Sequence, residues 1–174
     1  MKVIELDIRV PDKLQEIFDK SRMIGEYSVS IFNVPPEYKE YVNDWFAENI
    51  QVENLKGRTG FSFLYMKAGE NSAPHVDLLI PKNERTGEPG LDRICSLNIP
   101  LLGEEVTGHF EYCNSKGETI EKIKTHKPAI FQTNVLHRSV NEHGDKPRIL
   151  FCIGFYDDSY EDLELLHNEG RLVR

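Results

Sequence analysis

The sequence predicts a mainly β protein: a jelly roll, or double-stranded β-helix, with N-terminal helices packed on one of its sheets. Three observations predict it. From residue 60 onward, short apolar runs follow one another with Gly, Pro, Asn and Asp clustered between them, the pattern of many strands joined by tight turns. Before that point, two stretches carry apolar residues near helical spacing. The chain has 174 residues, 39% hydrophobic and 29% charged, which suits one globular domain with a sizeable core. That single domain, 1–174, reads as a strand-and-helix buttress (1–59), a jelly-roll core (60–157) and a helical tail (158–174).

"VIELDIRV" has the β-branched content of a strand. "PDKLQEIFDKSRMIG" places Leu14, Ile17, Phe18 and Ile24 near helical spacing, with Gly25 as a stop signal. "YSVSIFNV" is a second strand. "PPEYKEYVNDWFAENI" is the clearest helix. Pro35 and Pro36 suit its first turn, and Tyr38, Tyr41, Val42, Trp45, Phe46 and Ile50 form one apolar face, suited to packing on a sheet. The core strands are "FSFLYMKA", "HVDLLI", "RICSLNIPLL", "GHFEYC", "TIEKIK", "PAIFQT", "LHRSV" and "RILFCIGFYD". "CNSKGE" between two of them reads as a hairpin turn. "DDSYEDLELLHNEGRLVR" reads as a terminal helix with an Asp or Ser cap.

The net charge of -8 offers no electrostatic footprint for nucleic acid or an anionic membrane. No apolar run reaches spanning length, and "MKVIELDIRV" lacks a signal-peptide core, so a cytoplasmic location is expected. Cys95, Cys113 and Cys152 form no CxxC, which leaves them as small reduced core residues.

The chemistry begins in "NSAPHVDLLI". Strand side chains alternate, so His75 and Asp77 share a face. Turned inward, a bare carboxylate is very costly to bury, and a divalent metal is one partner that relieves the cost. HxD alone is a weak signal. His137, after the apolar strand "PAIFQT", supplies a further ligand on a chain long enough to wind round a barrel and return. Two His and one carboxylate on one side of an ion form the facial triad of non-heme Fe(II) oxygenases. Arg148 opens the apolar strand "RILFCIGF", whose inward set would be Arg148, Leu150, Cys152 and Gly154. It is either an edge residue paired to an acid such as Asp145, or a buried guanidinium awaiting a carboxylate. Of the other histidines, His109 alternates with Glu111 in a second HxE pair that nothing downstream completes. His126, His143 and His167 read as solvated.

These residues resemble a known family. Tyr65, Gly69, His75 and Asp77, then "HRSVN" from His137, then Arg148, are similar to the Fe(II)/2-oxoglutarate-dependent oxygenases, in particular the prolyl hydroxylases and aspartyl/asparaginyl β-hydroxylases. The resemblance covers residues 60 to 157. It departs from the β-hydroxylase branch, which generally lacks the carboxylate ligand that Asp77 would supply. The resemblance implies that His75, Asp77 and His137 are the catalytic metal ligands for Fe(II), and that Arg148 binds the distal carboxylate of 2-oxoglutarate. O2 would take the last open position, and 2-oxoglutarate would be decarboxylated to succinate as a C–H bond is hydroxylated. Tyr65 and Asn98 would reach the co-substrate, Tyr65 from one residue further along than is usual. Ser96 would join Asn98, and Arg93 would meet an acidic group near the mouth. The implied substrate is an amino-acid side chain, peptidyl or free, or a related small molecule. Nucleic acid and membrane are not expected as partners. The alternative is a cupin-like metal-binding or structural module without oxygenase activity, which has no need for a buried Arg148.

Overall fold

Alternation along each strand decides what this molecule buries and what it presents. The computed structural model describes residues 3–26, 29–80, 85–87, 91–101, 108–142 and 145–174. In chain order the elements are β1 (Val3–Glu5), α1 (Lys13–Asp19), β2 (Met23–Glu26), β3 (Ser30–Asn33), α2 (Lys39–Asn49), β4 (Thr59–Met66), β5 (Leu78–Ile80) and β6 (Leu91–Asp92). Then come β7 (Cys95–Pro100), β8 (Gly108–Cys113), β9 (Thr119–Ile123), β10 (Ala129–Gln132), β11 (His137–Asn141), β12 (Arg148–Phe155) and α3 (Tyr160–Asn168).

The large sheet runs β1-β10-β7-β12-β4-β3-β2, and a smaller one runs β11-β8-β9. A short pair, β5 and β6, stands apart. The segment 70–77 extends the small sheet along β11. Ser72 N–H donates to the Ser139 carbonyl, His75 and His137 exchange both backbone bonds at 2.9 Å, and Asn141 N–H donates to Glu70. Every strand pairing is antiparallel.

One face of the large sheet carries Ile4, Phe63, Leu97, Ile99, Ile130, Phe151 and Phe155. The helices press Leu14, Ile17, Val42, Trp45 and Phe46 into it. Phe151 is the hub, with Trp45, Phe61 and Phe63 rings at 6.1, 6.1 and 5.0 Å. Apolar burial of this kind stabilises by about 25 cal/mol per Å². The other face turns to the small sheet, where Ala129 and Phe131 meet Phe110, Tyr112 and Ile123. This is the expected jelly roll with helices packed on one sheet.

Local signals explain the ends. Ser159 and Asp162 close a capping box on α3, the cap that the acidic run before it suggested. In the β8–β9 turn, Asn114 Oδ1 accepts from the N–H groups of Lys116 and Glu118, and Gly117 takes the positive φ of 79°. All three cysteines are buried, and none forms a disulfide among the described residues. Among the described residues, no helix is long and apolar enough to cross a membrane.

Two expectations fail locally. The first helix ends at Asp19, and Met23–Glu26, read as its last turn and stop, is strand β2. Ser21 Oγ donates to the Phe18 carbonyl at the helix end, and β3 then offers its free edge to β2, so sheet pairing overrides the helical spacing. "HVDLLI" is not one strand either. Only Leu78–Ile80 pair with β6, while Asp77 N–H is drawn to the Thr133 carbonyl.

Candidate metal centre

His75 and Asp77 come from the extended segment beside β11, and His137 is the first residue of β11. The backbone bridge between His75 and His137 sets their rings side by side, with centroids 4.5 Å apart. Each ring is oriented by its own chain. The Nδ1 of His75 lies 2.7 Å from the Ala73 carbonyl, and that of His137 lies 2.8 Å from the Val135 carbonyl. A carbonyl can only accept, so Nδ1 carries the proton and Nε2 keeps its lone pair for a metal. Phe110 stacks on His137 at 4.9 Å and 13°.

Both Nε2 atoms point at one oxygen. Asp77 Oδ1 lies 3.4 Å from His75 and 3.7 Å from His137. Its other oxygen is held by Arg93, whose Nε and Nη2 each sit at 2.6 Å from Oδ2. Asp77 is 5% exposed. Burial alone would raise its pKa. The His75 hydrogen bond and the charges of Arg93 and His137 outweigh that, so the carboxyl stays ionised well below its usual range. Burial pushes His137 down to about 4, which keeps it neutral at pH 7. His75 is raised by its bond to Asp77.

One ligand atom from each of the three residues lies within 4.8 Å of the others. Neighbouring ligands on an ion at about 2.1 Å sit about 3 Å apart, so small side-chain adjustments close this set on a metal. Two imidazole nitrogens and one carboxylate on one side suit a divalent first-row metal and leave the opposite side open.

Deeper in the barrel, β12 turns Arg148, Leu150, Cys152 and Gly154 inward, as expected, and sends Phe151, Ile153 and Phe155 to the helix side. Among the described residues no carboxylate pairs with Arg148. Its Nη1 donates to the carbonyls of His109 at 3.1 Å and Val140 at 3.2 Å, and burial pushes its pKa down to about 10. The edge pairing to Asp145 is therefore not what this arginine makes. Asn98 stands directly across from Cys152 on the same face, and accepts from Ser96 Oγ at 2.8 Å. Both Asn98 and Ser96 thus look into the barrel.

Tyr65 does not. It pairs with Ile149 on the helix side of β4, stacked on Phe18 at 6.2 Å and edge-on to Phe32. The extra residue between Tyr65 and His75 turns it to the opposite face, so the co-substrate contact expected of it is corrected. Its neighbours Leu64 and Met66 have the inward positions.

No family model matches the sequence, and no curated protein matches it. Solved structures do. A Pseudomonas putida prolyl-4-hydroxylase aligns over 91% of this chain and 94% of its own, with a TM-score of 0.53 at 11% identity. The viral collagen prolyl hydroxylase of Paramecium bursaria Chlorella virus-1, solved as a 2-oxoglutarate complex, covers 91% and 97%, at 0.50 and 13%. HygX of Streptomyces hygroscopicus, solved with nickel, 2-oxoglutarate and hygromycin B, covers 88% and 81%, at 0.54 and 9%. The chain has the fold of 2-oxoglutarate-dependent oxygenases.

On that oxygenase fold, the second His-x-acid pair lies on the outer face of the small sheet. His109 Nε2 sits 2.6 Å from Glu111 Oε1, and its Nδ1 is 3.1 Å from Glu142, a third group that the sequence reading did not supply. Yet Arg138, Lys122 and Lys124 already neutralise the two carboxylates. His126 and His167 are exposed, and His143 lies outside the described residues, as does most of the "KNERTGEPG" loop. Sequence reasoning missed Phe110 as the plate behind His137. Its position facing Ser139 across the β8–β11 ladder was not legible without the register.

Proposed function

We propose that this protein is an Fe(II)- and 2-oxoglutarate-dependent oxygenase that hydroxylates an amino-acid side chain, peptidyl or free, or a related small molecule. One observation carries the reading. A His-Asp-His set faces the interior of an oxygenase-type barrel that also holds an arginine with no acidic partner among the described residues. A metal-binding module without oxygenase chemistry has no use for that arginine.

His75, Asp77 and His137 would hold the metal. Bound Fe(II) with 2-oxoglutarate and O2 would supply the oxidising chemistry, giving succinate, CO2 and a hydroxylated product. The chain's own residues do the rest. The Ala73 and Val135 carbonyls fix both imidazole tautomers. Arg93 occupies Asp77 Oδ2, so the carboxylate offers one oxygen to the ion. Arg148 gives a fixed fork to the distal carboxylate of the co-substrate, in a pocket where a charge-assisted bond is strong. Asn98 and Cys152 line the path between. Phe110 and Phe131, stacked at 4.3 Å, keep that interior apolar.

Anaerobic addition of Fe(II) and 2-oxoglutarate should produce the weak visible band of a metal–2-oxo acid chelate. Wild type without the band, or a His137→Ala protein that keeps it, would overturn the assignment.

A further inference from the structure

Beside Asp77 lies a cavity of about 380 Å³ on the inner faces of β2, β3, β4 and β12. It contains none of the three ligands, but Arg93 forms part of its wall and joins it to the metal centre. Two glycines underlie it: Gly60 lines the cavity, and Gly154 packs beneath the Arg93 wall. Gly60 on β4 and Gly154 on β12 stand directly opposite each other in the ladder. A Cβ on Gly154 would meet Arg93 Cδ at 2.6 Å, and a Cβ on Gly60 would meet the Tyr156 hydroxyl at 2.8 Å. Two side chains are absent where two others need the space. Arg93 and Tyr156 therefore lie together over the glycine pair.

Their polar atoms have capacity left. A guanidinium has five N–H donors, and Asp77 engages only its Nε and Nη2. Among the described residues the Tyr156 hydroxyl has no hydrogen-bond partner, although its backbone N–H reaches the Arg58 carbonyl. The remaining walls are mostly apolar, from Ile24, Ile31, Phe61 and Leu64, with Ser62 and Cys152 between them. Ile24, 65% exposed, stands at the cavity's open rim.

Building on the oxygenase reading, we propose that this cavity is the substrate pocket, and that it takes a compact apolar group bearing a carboxylate. Arg93 and Tyr156 hold the acidic end, and Ile24, Ile31 and Leu64 cover the apolar body. Arg93 then touches substrate with one edge and metal ligand with the other. An occupied pocket would fix the Asp77 oxygen that the metal sees, linking substrate binding to the geometry of the centre.

The test uses full-length, metal-free protein with labelled isoleucine and leucine methyls, so that the probe has no metal to ligate. The probes are 4-methylpentanoate and 4-methylpentanamide, which differ only at the acidic end. The acid should shift the Ile24, Ile31 and Leu64 methyls and bind about fivefold tighter than the amide, the margin of a charge-assisted over a neutral hydrogen bond. Arg93→Gln should abolish that preference. Tyr156→Phe, which removes only a hydroxyl with no partner among the described residues, should reduce it while leaving the fold intact. Equal binding of acid and amide, or shifts that bypass these three residues, would overturn the proposal. The chelate band on the same preparation separates the two readings. A band without cavity binding ends this proposal and leaves the oxygenase; cavity binding without a band ends the oxygenase reading, and with it the cavity's role as a substrate pocket, leaving only a carboxylate-binding cavity.

Discussion

His75 with Asp77, and His109 with Glu111, have the same spacing and border the same small sheet. In each, a buried carboxylate lies within reach of a histidine ring, and in each a second strand brings another residue close. The difference lies in the company. The inner pair meets another histidine and a single arginine, which takes the far oxygen and leaves the near one free. The outer pair meets an arginine, two lysines and a threonine that consume its carboxylates. The inner set keeps one carboxylate oxygen facing two imidazoles, and the outer set is closed as an ion network. A His-x-acid motif can serve as a metal clip only where its neighbours leave a carboxylate oxygen free of cations.

The comparison breaks if the outer pair also binds metal. Asp77→Ala should weaken Co(II) or Mn(II) binding by about a hundredfold or more, beyond what loss of an outer partner costs, while Glu111→Ala leaves it unchanged, both read by titration calorimetry. The outer pair instead answers to stability. Glu111→Ala strands the buried His109 and the half-buried Arg138 and should cost about 3 kcal/mol in denaturant unfolding.

The smallest effect is in acid. His137 titrates near 4 in the folded chain against 6.5 as a free group, so the unfolded state binds the extra proton between those values. Stability of the metal-free protein should rise with pH across that window. Glu111, lowered to about 2 from 4.5 despite burial that opposes it, contributes stability present above 4.5 and lost as pH falls through 2. His75 has the opposite sign: raised when folded, its contribution fades as pH climbs past its free value. Melting curves against pH should show the upper step vanish in His137→Asn and the lower one in Glu111→Gln.

What was legible in the sequence followed period two. His75 and Asp77 share a face because alternation forces it, and the inward set on β12 was read the same way. That Arg93 would meet an acidic group also held, with Asp77 as the acid. Tyr65 failed by the same rule, since one additional residue flips a strand side chain to the other face. "MIGE" failed because a free sheet edge outweighed helical spacing. The glycine pair and Tyr156 had no local signal at all. Their meaning depends on Gly60 lying opposite Gly154, a register between strands far apart in the chain.

The doubled backbone bond between His75 and His137 has a further consequence. Hydrogen-bonded residues across antiparallel strands stand about 5.5 Å apart at Cα, whatever their side chains hold. The two imidazoles are therefore spaced by a ruler made of peptide groups. An ion entering between them finds its gauge already cut, and an ion leaving takes none of the fold with it. We expect such a set to take and release different metals without unfolding, so the one it carries would reflect supply more than shape.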